Sequence, residues 1–261
     1  MQISFSDLGY MPIDKADVLP NETQPKTKLG DIWKLGRHCL LCGDSTNIDT
    51  VQKFFDGDKI DLVLTDPPYG INIVNKKGTI GCSSNVYHQI KGDNDTKTAC
   101  DFYQICRLLN IKNYIVFGGN YFTDFLPPRA CWLVWDKVNG KTDFADFEMA
   151  WTSFKKAARL YKYVWNGFTR QGDVKSEGIR RIHPTQKPVG LLEQILLNFS
   201  EPNQNIFDGF GGSGSTLIAC EKTNRKCFMI EYENFYVDLI IARWEKFTGQ
   251  KAKLIESILI S

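Results

Sequence analysis

A carboxylate, two prolines and a phenol ring stand in consecutive positions at Asp66-Pro67-Pro68-Tyr69. The prolines fix φ and donate no backbone N–H, so the chain turns there and leaves its carbonyls free to accept. Asp66 adds an acceptor-only carboxylate, and Tyr69 a flat π-face beside it. Such a group fits a planar molecule carrying an exocyclic NH₂. The physical match is an adenine or cytosine amine, its two hydrogens on Asp66 and a proline carbonyl and its ring stacked on Tyr69.

A second constellation lies downstream. Asn205-Ile206-Phe207-Asp208 reads as a buried strand that runs into Gly209-Phe210-Gly211-Gly212-Ser213-Gly214-Ser215-Thr216 and then into a helix. The next strand, Lys226 to Ile230, ends in Glu231. Strand, glycine-rich turn, helix, strand and acid is the layout of a nucleoside-cofactor site. Glycines let the backbone approach the ligand, a helix beginning near Ser213 offers N–H groups, and Glu231 is spaced to take ribose hydroxyls. The segment is not a G-x-G-x-x-G turn, and it follows the Asp66 motif instead of opening the chain, which turns the reading away from a dinucleotide dehydrogenase. Between the two stands His183-Pro184-Thr185-Gln186-Lys187-Pro188, leading into an amphipathic helix.

The order of these three motifs, with a basic stretch after the first, resembles the β-group of S-adenosylmethionine-dependent DNA amino-methyltransferases over residues 31–250. The resemblance implies an α/β, Rossmann-like fold whose mixed seven-stranded sheet is circularly permuted, with helices on both faces. It implies that Asp66, Pro67, Pro68 and Tyr69 hold the target base. It also places Asp44, Asp66, Thr185, Lys187, Phe207, Asp208, Gly209, Gly211, Gly212, Ser213, Gly214, Ser215 and Glu231 around S-adenosylmethionine, with Lys187 and Thr185 near its carboxylate and Asp44 near its adenine. His183 is expected to be structural. The family turn is more often Asp-Pro-Phe, and Gly209 stands here in place of that proline.

The implied reaction is direct methyl transfer to a flipped-out base, and Asp at the first motif position points to adenine N6. N4 of cytosine, an RNA or protein-amide substrate, and a non-catalytic DNA-binding relative are the alternatives. The sequence has no Pro-Cys pair of the kind that methylation at cytosine carbon 5 leads one to expect. A homodimer and a cognate restriction endonuclease are compatible with such an enzyme.

Several elements must position these residues. Leu62-Val63-Leu64-Thr65 makes a buried strand ahead of Asp66. Trp33 to Asp44 reads as a hairpin, Ser45 as the N-cap of a helix presenting Ile48, Val51, Phe54 and Phe55. A helix is expected over 96–109, strands over 113–117, 131–136 and 147–153, and a closing helix on Tyr236, Ile240, Ile241, Trp244 and Phe247. Residues 70–95 read as a mobile loop. Residues 1–29 read as an arm outside the core, and 30–261 as the catalytic domain.

Residues 154–187 hold nine basic residues against Asp173 and Glu177, with Phe154, Tyr161, Tyr163, Trp165 and Phe168 among them. Such a segment can neutralise phosphates and stack bases. Residues 154–182 are therefore expected to read DNA through Lys155, Lys156, Arg159, Lys162, Arg170, Arg180 and Arg181. The net charge of +2 over the whole chain does not itself imply a nucleic-acid partner. The eight cysteines are scattered, several in apolar runs, which predicts free thiols and a cytoplasmic protein. Cys39 and Cys42 have the spacing of half a zinc site with no second pair, so no metal is expected. No apolar run is long enough to span a membrane.

Overall fold

Leu62 and Leu64 enter one hydrophobic core, and Val63 between them enters another. That alternation is what a strand buried on both faces must show, because successive side chains leave a strand on opposite sides. The structure, a computed structural model, describes residues 15–20, 26–74, 91–138, 145–164 and 186–258.

Within them the strands are β1 (Asp31–Leu35), β2 (His38–Cys42), β3 (Leu62–Thr65), β4 (Tyr114–Phe117), β5 (Trp132–Asp136), β6 (Phe147–Thr152), β7 (Arg159–Lys162), β8 (Asn205–Asp208), β9 (Lys226–Glu231) and β10 (Lys253–Ser257). They form one sheet in the order β10-β1-β2-β9-β8-β3-β4-β6-β5-β7. The stretch from β2 to β5 is the mixed seven-stranded sheet, in which only β6 runs against its neighbours. The full sheet is ten-stranded, because the β1 hairpin arm pairs with both β2 and β10 at one edge and β7 pairs with β5 at the other. In chain order β3, ahead of Asp66, precedes β8, which ends in Asp208, as the permutation requires.

Helices α1 (Ile48–Phe55) and α2 (Lys97–Leu108) cover one face of the sheet. Helices α3 (Val189–Phe199), α4 (Ser215–Lys222) and α5 (Asn234–Thr248) cover the other. The apolar positions expected for α1 and α2 pack into the first of these cores. Asn47, not Ser45, caps α1, its side chain accepting from the Thr50 N–H at 3.0 Å. Ser45 is buried and lines the cavity described below. In α5, Phe247 falls in the last turn and is 37% exposed, while Tyr236, Ile240, Ile241 and Trp244 are buried.

The described parts of 1–29 are not outside the core. Ala16 is 1% exposed within the α3–α5 core, and Leu19 packs with Tyr236 and Leu239. Buried polar groups fasten the segment: Arg243 donates to the Ala16 carbonyl at 2.6 Å, and Asp17 accepts the Val189 N–H at 2.9 Å. Thr27 donates its hydroxyl to Asp238 at 2.6 Å. Composition pointed the other way because it cannot see these three distant partners. Among the described residues the cysteines are free thiols, and no helix is long and apolar enough to cross a membrane.

Candidate active site

The parallel strands β2, β9, β8 and β3 end on one edge of the sheet, and the loops beyond them surround a cavity of about 310 Å³. Between β8 and β3 the winding reverses, since β8 connects through α4 to β9 on one side and β3 through α2 to β4 on the other. Open α/β sheets place their ligands at such a switch point. Asp44, Glu231, Asp208 and Asp66 each stand at or just past the end of one of these strands and line the cavity.

Asp66 has a partner on each oxygen. The Tyr69 hydroxyl donates to Oδ1 at 2.6 Å, and the Lys187 ammonium lies 2.5 Å from Oδ2. Lys187 also lies 3.2 Å from Glu148, which in turn pairs with Lys137 at 2.6 Å. Burial pushes the Asp66 carboxyl above the usual carboxylate range, with Lys187 and Tyr69 pulling it back and Glu148 adding to the push. Burial also opposes ionisation of Glu148 and Lys187, yet their opposite charges win: Glu148 is held low and Lys187 high. The Tyr69 ring is backed by Tyr121, stacked at 5.0 Å with planes 16° apart. Gly118, at φ +69°, lets the backbone press on that ring; a Cβ there would lie 2.2 Å from Tyr69 Cε1.

On the other side of the cavity, Glu231 accepts the Gly212 N–H at 2.7 Å and the Glu233 N–H at 2.9 Å. Asp208 accepts the Thr65 hydroxyl at 2.8 Å and the Phe210 N–H at 3.1 Å. Burial pushes both carboxyls up to about 7. Asp44 is held low despite burial, because Thr46 donates its N–H and hydroxyl to one oxygen and Lys91 faces the other at 3.3 Å. Gly214, at φ +79°, is the N-cap that turns the loop into α4, so that helix starts at Ser215 and not near Ser213. Buried Arg243 donates to the Ser213 carbonyl at 2.7 Å and the Ser215 hydroxyl at 3.2 Å, tying the glycine turn to α5. At Gly209 a Cβ would strike the Phe102 ring at 2.2 Å, so Phe102 fills the space that a proline there would need.

Of the residues expected at the site, Asp44, Asp66, Pro67, Pro68, Tyr69, Lys187, Asp208, Gly209, Gly211, Gly212, Ser213, Ser215 and Glu231 line this cavity. Phe207 and Gly214 do not: the Phe207 ring packs edge-on to Phe55 at 4.8 Å beneath the sheet, because its neighbour Asp208 takes the other face, and Gly214 is spent on capping α4. Lys187 is committed to two carboxylates of the chain. Thr185 and His183 lie outside the described residues, as do Arg170, Arg180 and Arg181.

The basic stretch is divided by the sheet. Ser153 bonds to Tyr114 and Arg159 pairs with Leu133, so Lys155, Lys156 and Arg159 stand at the end of the strands opposite Asp66. Lys156 donates to the Asn198 carbonyl there and lies over Phe199. This register sets them at the far end of the strands from the cavity. Lys162, paired with Asp136, is at the Asp66 end.

Motif reading missed Glu148, Lys91, Phe210 and Arg243. Phe210 sits inside the quoted turn and was legible as a lining residue, but the other three lie outside every motif, far along the chain from the site residues they touch.

Comparison with known proteins points to DNA methylases. A family model described as DNA methylase matches residues 128–242, which include Lys187 and the whole glycine turn. Over that part the chain is similar to the N6/N4 DNA methylases. YubD of Escherichia coli (strain K12), a methylase by name, is 29% identical to this chain over 197 residues, 69% of this chain and 80% of YubD. The type II methyltransferase M2.MboI of Moraxella bovis is 26% identical over 235 residues, 77% of this chain and 86% of that one. In fold, the chain is similar to PvuII DNA methyltransferase (cytosine-N4-specific), at TM-score 0.53 and 18% identity over 80% of this chain and 89% of that one.

Proposed function

We propose that this protein transfers a methyl group from S-adenosylmethionine to N6 of adenine in DNA. The observation that carries the reading is the single cavity wall that holds Asp66, Pro67 and Tyr69 on one side and Asp208, the glycine turn and Glu231 on the other. The donor set fits the cofactor. Glu231 and Asp208 are buried carboxylates suited to accept from ribose hydroxyls, Gly211 and Gly212 leave room for close approach, and Asp44 lies past the end of β2 for an adenine amine. Bound there, S-adenosylmethionine supplies a sulfonium-borne electrophilic methyl.

The residues of the chain do the rest. An adenine amine is a poor nucleophile because its lone pair is delocalised into the ring. Asp66 and the Pro67 carbonyl accept its two N–H groups, which favours a pyramidal nitrogen with the lone pair free to attack in line. The nitrogen gains a methyl and sheds one proton, and Asp66 is the acceptor within reach. Tyr69 offers the face that replaces stacking lost when the base leaves the duplex, a cost of about a few kcal/mol. Adenine is favoured over cytosine by the acid at position 66.

The test is transfer of labelled methyl to unmethylated DNA by wild type and Asp66→Ala, with nucleoside analysis. N6-methyladenine, reduced by about 100-fold or more in the variant, is expected. N4-methylcytosine would overturn the base assignment, and cofactor binding without transfer to any DNA would overturn the substrate.

A further inference from the structure

Glu148 belongs to none of the motifs that point to the site. It stands near the start of the reversed strand β6, behind the cavity wall, with Lys137 from beyond β5 on one side and Lys187 on the other. Lys187 therefore faces two carboxylates, Asp66 at 2.5 Å and Glu148 at 3.2 Å, with the Tyr69 hydroxyl 3.5 Å away. Its side chain is 8% exposed. A buried ammonium that loses its partner costs several kcal/mol. If Asp66 must present an oxygen to a substrate amine, the cation now resting on that oxygen needs somewhere else to be.

We propose that Glu148 is a positioning residue for methyl transfer: it is the second seat of the Lys187 ammonium and lets Asp66 turn an oxygen to the target amine while the cation stays paired. The inference rests on the methyltransferase reading. An ammonium has three N–H donors, so Lys187 can shift its weight between the carboxylates without breaking either contact outright. Lys137 holds Glu148 in place at 2.6 Å, so the two carboxylates and two ammoniums balance. Glu148 also adds to the upward push on Asp66, which Lys187 and Tyr69 oppose, while Asp208 is the next carboxylate along.

Glu148→Gln keeps the shape and removes the charge, leaving Lys187 committed to Asp66. The expected result is a kcat lower by about 10-fold or more, the scale on which disturbing one buried charge pair acts. Cofactor dissociation, measured by calorimetry, should change less than about 2-fold, since Glu148 does not line the cavity. Without its like charge the acid limb of kcat moves to lower pH. Glu148→Asp should recover part of kcat, and this second variant keeps the test open if Gln at 148 prevents folding. An unchanged kcat and pH profile in Glu148→Gln would overturn the inference. Equal loss in Gln and Asp variants, with an unmoved pH limb, would reduce Glu148 to a structural role and overturn it too. The wild type, run alongside, separates the two levels: no transfer to DNA by wild type overturns the methyltransferase reading, and this inference with it.

Discussion

In the proposed reaction Asp66 is the residue on which the chemistry turns, and its charge depends on its neighbours. Ionised, it is an acceptor for the amine; protonated, it offers a donor in the wrong place. Burial raises its pKa and Lys187 is the largest influence opposing that rise. Lys187→Met therefore raises it further, so the acid limb of single-turnover transfer should move to higher pH than in wild type. An acid limb that stays put would show that Lys187 does not govern Asp66. Much of this residue-scale picture was legible in the sequence. In the proposed reaction Asp66 and Pro67 hold the amine and Tyr69 the ring of one base, and the three stand contiguous, which makes them a motif. Glu148 was not legible, because an ion pair needs only proximity in space, and β6 reaches Lys187 by sheet register. Lys187 was legible as a site residue but was assigned a different partner, since spacing cannot tell a ligand carboxylate from Asp66.

At the scale of elements, which end of a strand a cation occupies decides what it can meet. β7 runs parallel to β5, so four residues carry the chain from Arg159 at one edge of the sheet to Lys162 at the other. A strand rises about 3.3 Å per residue, so these two positions are about 10 Å apart along it. Lys162 is thus the described cation of the basic stretch that stands at the Asp66 end. If DNA approaches the cavity mouth, Lys162→Gln should lower the salt dependence of DNA binding by about one phosphate contact. Neutralising Lys155, Lys156 and Arg159 together should leave that slope unchanged. A flattened slope in the triple variant with none in Lys162→Gln would put DNA on the opposite edge. Composition made the segment visible as basic and aromatic, but the sign of a charge carries no direction. Helices were easier to read: apolar residues at three- and four-residue spacing must face a core, and α1, α2 and α3 bury theirs as that periodicity requires. Their starts were harder, because Asn47 and Ser45 are equally good caps and only the path of the loop chooses.

For the whole molecule, the same edge that gathers the ligand groups also gathers a cost. Asp208 and Glu231 are both pushed up to about 7 by burial. In the unfolded chain these carboxyls ionise near their reference values of about 4. As pH rises from about 4 to 7 the unfolded state loses those protons first, so folding stability from these two sites falls over that window and stays reduced above it. Ribose hydroxyls donate to carboxylates, and so reward the ionised forms that burial disfavours. A ligand that binds only the folded state raises Tm according to its affinity. The rise produced by S-adenosylmethionine should therefore be larger at pH 8 than at pH 6, and Glu231→Gln should shrink that difference while raising the ligand-free Tm at pH 8. Thermal melts of both proteins at the two pH values, with and without S-adenosylmethionine, measure all of it. An equal rise at pH 6 and pH 8 in wild type would mean that these carboxylates do not take the ribose, and that their burial serves only to brace Gly212 and Thr65 at the meeting of β8 and β3.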